Sequence, residues 1–96
     1  MITAAGAGII AQQQIVKDRA NRVIEAIAND IEKHAKLGCR ELIVRADTIG
    51  KYFTLKERIF DDINLLWAGV RPLVEKRFEE VGFKLTIGSY GFTISW

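Results

Sequence analysis

The chain has 96 residues, 49% of them hydrophobic and 27% charged, which suits one compact domain and excludes a second core or a disordered polyelectrolyte. Fourteen Lys and Arg against twelve Asp and Glu leave a formal charge of +2, too little to mark a dedicated nucleic-acid binder or a membrane-surface protein. The single cysteine, Cys39, excludes an internal disulfide and points to a reducing compartment, the cytosol.

A domain this short buries only roughly 60 to 65% of the surface its unfolded chain exposes, so self-association is a common remedy and a homo-oligomer is expected. The opening MITAAGAGIIA has no basic n-region, and the chain turns polar at Gln12-Gln13-Gln14 before a membrane-length run develops. Neither a signal peptide nor a membrane span is expected.

From Ile9 to Leu37, apolar Val16, Ala20, Val23, Ile24, Ile27, Ile31 and Ala35 recur every three or four residues, the spacing that gathers side chains on one helical face. Gly38 follows as a natural stop, since it accepts positive φ without a Cβ penalty. Gly6 and Gly8 weaken helix propensity, so for residues 1 to 8 an ordered arm, a frayed turn and disorder all stay open.

ELIVRA, residues 41 to 46, is β-rich and alternates, so it reads as a strand. Thr54-Leu55-Lys56-Glu57 matches a capping box and starts a second helix. Its apolar arc, from Leu55 and Ile59 to Val74 and Val81 with Phe60, Trp67 and Phe78 at one side, is wide for one helix. An unbroken helix would place Arg77 inside that arc, and Pro72 has no amide for the carbonyl of Ala68. A kink or break is therefore expected between Ala68 and Pro72, with Val81-Gly82 ending the segment.

The stretch GFKLTIGSYGFTISW alternates on both sides of Gly88-Ser89-Tyr90-Gly91 and reads as a β-hairpin. Trp96 continues the inward row of Phe92 and Ile94, so it is expected in a core or an interface. The whole reads as one α+β domain spanning residues 1 to 96, in the order α-β-α-β-β. Both helical units cover one face of a three-stranded mixed sheet whose first two strands run parallel; other strand orders stay open. The opposite face is mostly polar.

No catalytic, cofactor or metal residue is expected. His34 and Cys39, with Asp30 one turn before His34, fall short of the four convergent ligands zinc requires, and no third group orients a Cys-His nucleophile. Gly6-Ala7-Gly8 does not follow a strand as a dinucleotide fingerprint must. Leu65-Leu66-Trp67-Ala68 is more suggestive, because Leu65 points off the main stripe and Trp67 widens it beside Phe60. Tryptophan is enriched at binding hot spots.

Several pieces share a pattern: Ala4-Ala5, IEAIANDIEKHAKLG, ELIVRA, EKRFEEVGFKLTI and the closing FTISW. In them the sequence resembles the short accessory proteins of tailed bacteriophages, which combine an Ala-rich first helix, a short strand, a helix ending in "GF" and a hairpin closing on "I-S-W". The middle segment KYFTLKERIFDDINLLWAGVRP is longer than that pattern. The resemblance implies a phage-encoded protein, in the virion or acting on a host component in the host cytosol, and supplies no catalytic residue.

The expected function is non-enzymatic: protein-protein interaction or self-assembly, on a phage or host protein, through Phe60, Leu65, Trp67 and Trp96. The alternative is a nucleic-acid or nucleotide binder that uses the polar sheet face with Arg45, Lys84 and Tyr90, and its affinity would fall steeply with salt.

Overall fold

A computed structural model describes residues 3 to 88 and 91 to 96. The chain runs through helix α1 (Ala4–Lys36), strand β1 (Glu41–Arg45), a short 3₁₀ turn (Ile49–Tyr52), helix α2 (Leu55–Phe60), helix α3 (Ile63–Glu80) and strands β2 (Lys84–Gly88) and β3 (Gly91–Ser95). The α+β class and the element order follow the sequence.

α1 starts earlier than its apolar periodicity suggests. Thr3 caps it, the hydroxyl accepting from the amide of Gly6 at 3.0 Å, and this N-cap contact satisfies one of the free first-turn amides. Ala4 to Gly8 are therefore helical, whereas Met1 and Ile2 lie outside the described residues. At the other end Gly38 takes φ 86°, and the amides of Gly38 and Cys39 return to the carbonyls of Ala35 and His34, closing the helix as the glycine implies.

The expected break in the second helical unit lies elsewhere. α3 continues through Pro72, and the interruption falls at Asp61-Asp62. Asp62 caps α3, its carboxylate accepting from the amide of Asn64 at 3.0 Å, while Asp61 ends α2 in extended backbone. Ala68 and Pro72 are both exposed, so the carbonyl that lacks a helical partner faces water, where the deficit costs least. Arg77 is also exposed, at the open side of the α1–α3 seam beside Lys17 and Asn21. Its charged head reaches solvent without any phase change. The break before α3 turns Leu55 and Ile59 away from the stripe they would have continued.

The sheet order is β1-β3-β2 with both pairings antiparallel. β1 and β2 do run the same way, as a crossover through the helices requires, but β3 lies between them, so the sheet is antiparallel rather than mixed. A central third strand hides its inward side chains best: Phe92 and Ile94 are fully buried between Val44 and Leu42 on one side and Ile87 and Leu85 on the other. At Gly91, φ is 147° and a Cβ would run into the backbone carbonyl of Val44, so close strand approach requires glycine there.

The core joins Ala20, Val23, Ile27 and Ile31 of α1 to Val70, Val74 and Phe78 of α3 and to the inward row of β1 and β3. Trp96 sits at its edge, edge-on to Phe83 at 6.3 Å between ring centroids, with its amide bonded to the carbonyl of Arg40 at 3.0 Å. The inward row therefore runs on to this residue, as the alternation predicts. No helix among the described residues is long and apolar enough to cross a membrane.

Candidate interaction surface

α1 has 33 residues and α3 has 18. At about 1.5 Å per residue the first outreaches the second by roughly 22 Å. The longest dimension of the molecule, 53 Å, is close to the length of α1 alone, roughly 50 Å at that rise. Val23, Ile27 and Ile31 lie under α3 and the sheet, whereas Ile9, Ile10 and Ile15, in the overhanging half, are 51 to 60% exposed. Helical periodicity places Ile9 and Val16 on the buried stripe of Val23 and Ile27, so the apolar stripe continues past the end of its cover.

A second exposed set lies on α2 and the start of α3. Leu55, Ile59, Phe60 and Leu65 are 62 to 76% exposed. Leu55 and Ile59 stand out because Glu57 fixes the opposite side of α2 inward. Its carboxylate accepts from Arg19 Nε at 2.8 Å, from both terminal nitrogens of Arg22 at 3.0 and 3.1 Å, and from the amide of Thr54 at 3.0 Å. The Thr54 hydroxyl accepts from the Glu57 amide at 3.2 Å, which completes the capping box. The contacts to Arg22, ahead of those to Thr54 and Arg19, hold the Glu57 carboxyl far below the usual carboxylate range despite its burial. With α2 pinned to α1 through Glu57, Leu55 and Ile59, half a turn away, face water.

A second polar tie fastens the 3₁₀ turn. The Tyr52 hydroxyl donates to Asp30 Oδ2 at 3.0 Å, and Lys51 Nζ lies 3.2 Å from the same oxygen. Burial first, and then the Asp30 carboxylate, push the Tyr52 hydroxyl pKa up. Stability from this site is full below the ordinary tyrosine value near 10.0 and falls as pH rises above it, because the unfolded chain loses the proton first.

The four side chains expected to make contacts separate into two kinds. Phe60 and Leu65 are exposed on adjoining helices, as a contact surface requires. Trp67 is only 7% exposed and stacks on Phe92, ring centroids 5.8 Å apart and planes within 4°, so it belongs to the core and its interface role is corrected. Trp96 is half-buried at the sheet end, packed against the core.

The residues of the nucleic-acid alternative do not converge. Arg45 and Lys84 share the open face of the sheet but sit on its two outer strands at opposite ends, about 17 Å apart by strand spacing and rise. Arg45 also pairs with Asp47 at 3.3 Å. Tyr90 lies outside the described residues. His34 and Cys39 line one open hollow with Glu41 and Lys51, and His34 Nδ1 donates to the carbonyl of Asp30 at 2.8 Å. Among the described residues no three His, Cys, Asp or Glu side chains gather as a metal site.

The chain matches no protein-family model, no curated protein and no solved structure.

Sequence reasoning found Phe60 and Leu65 but missed the overhang of α1 and the Arg19–Arg22–Glu57 cluster. The first could have been read from the uncharged run between Thr3 and Val16. The cluster left no local signal, because its members lie 35 and 38 positions apart.

Proposed function

We propose that the chain is a non-enzymatic interaction protein that presents exposed apolar side chains of its helices to another polypeptide. The observation that carries this reading is the ridge of Leu55, Ile59, Phe60 and Leu65, four large apolar side chains turned to water on adjoining elements, where single exposed hydrophobics would need no explanation. The buried or half-buried titratable groups support it from the other side. Glu57, Tyr52 and Asp30 are each occupied in ties between elements, which leaves them fastening the fold rather than poised for proton transfer. The likeness to phage accessory proteins suggests a phage or host protein as the occupant of the ridge.

A double variant, Phe60→Asp with Leu65→Asp, tests the reading. Both positions are exposed, so the melting temperature is expected to stay within a few degrees of wild type. The chain used as bait should lose its bound polypeptide, while Thr86→Asp on the open sheet face should keep it. Retention by the first variant and loss by the second would move the contact to the sheet. Oligonucleotide binding that weakens steeply with salt would favour the nucleic-acid reading instead.

A further inference from the structure

The first half of α1 is a helix without a floor. An isolated helical segment of about 12 to 15 residues is marginal in water even when rich in alanine, and Gly6 and Gly8 each weaken this one by about 1 kcal/mol relative to alanine. Its apolar stripe nevertheless continues the one that packs under α3, and beside it an open hollow remains, lined by Gln12, Gln13, Val16 and Lys17 of α1 and by Leu73 from the middle of α3. The hollow is mostly apolar, so its natural filling is a side chain like those exposed on the same helix.

We propose that two copies of this chain pair through the first halves of their α1 helices, antiparallel about a two-fold axis between Gln12 and Gln13, each copy seating Ile9 against Val16 and Leu73 of the other. Three observations select a second copy. Ile9 precedes Val16 by two helical turns on one face, so a two-fold axis midway between them carries each Ile9 onto the other copy's Val16, beside the hollow. At that axis Gln12 of one copy meets Gln13 of the other, and each amide can both donate and accept. From Thr3 to Val16 there is no ionisable side chain. A segment that meets itself therefore encounters no like charge, whereas a partner chosen by charge would find nothing to read.

The proposal rests on the reading of the chain as an interaction protein, and it assigns a partner to α1 while leaving the α2–α3 ridge free. Sedimentation equilibrium of the full chain is expected to show reversible association of the 10.8 kDa protomer to a dimer. Ile9→Asp should weaken the dimer about 100-fold, since two buried isoleucines are lost per pair, without changing the melting temperature of dilute protein. Phe60→Asp with Leu65→Asp should leave the dimer intact. A wild-type chain that stays monomeric to about 1 mM, the weak end of measurable association, overturns the pairing while leaving polypeptide capture by the ridge to stand on its own. A dimer broken by the ridge variant but not by Ile9→Asp overturns it as well. For the register, Gln13→Cys in a Cys39→Ser background should oxidise to a covalent dimer faster than Ile10→Cys, which lies off the seam, and the reverse order contradicts the antiparallel geometry.

Discussion

Trp67→Ala is expected to destabilise the fold by about 4 kcal/mol, the usual range for removing a large aromatic side chain from a core, and to leave any effect on binding secondary to that loss. The indole lies flat on Phe92, itself 1% exposed, and Arg71 approaches the same ring at 5.7 Å. Truncation to a methyl group would open a cavity between α3 and the central strand. Dispersion contacts would be lost on both sides, because neither a helix nor a strand paired on both edges can collapse into the space. For a domain of this size, with a total stability of roughly 5 to 15 kcal/mol, a denaturant midpoint measured on the variant should fall by about a quarter or more. A binding defect with unchanged stability would return Trp67 to the surface.

The second large effect is expected at Glu57. Glu57→Ala removes the acceptor shared by Arg19 and Arg22, leaves the amide of Thr54 without its partner, and dissolves the capping box. Breaking a buried pair from one side typically costs about 3 to 5 kcal/mol. Arg22 is half exposed and can turn to water, which puts the expected loss near the lower end of that range. Glu57→Gln keeps the size of the side chain and should cost less, and it separates charge from packing.

The same residue sets an acid limit. Because the folded state holds the Glu57 carboxyl far below its ordinary value near 4.5, the unfolded chain takes up the proton first as pH falls. The stabilisation is complete above that ordinary value and is lost progressively below it. Chemical denaturation between pH 7 and pH 3 should therefore show wild type losing more stability than Glu57→Gln. Parallel profiles would mean that the cluster contributes no net stabilisation.

Local elements were legible in the chain because each has a local cause. The Thr54 box, Gly38 and the alternation into Trp96 announce a helix start, a helix stop and a strand through residues at most a few positions apart. What could not be read were decisions made across the molecule. Nothing near Pro72 says that a helix may pass through it harmlessly; that depends on Ala68 and Pro72 facing water. Nothing within ELIVRA or the hairpin says that the last strand takes the centre of the sheet.

The site was legible in the same partial way. Leu65 lies off the helical stripe and Phe60 widens it, so both were visible from periodicity. Trp67 looked equally surplus, because its stacking partner Phe92 belongs to a strand remote in sequence. The exposure of Ile9, Ile10 and Ile15 was not legible, since a period of 3.6 cannot tell where the covering helix ends.

Hydrogen exchange at the backbone amides of the segment from Ala4 to Val16, followed from micromolar to millimolar protein, tests most directly whether this surface exists to be covered. Protection there should rise with concentration, while the amides of Val23 to Ile31, already under α3 and the sheet, stay protected throughout. Fast exchange across Ala4 to Val16 at every concentration, or protection that does not change on dilution, would contradict the account.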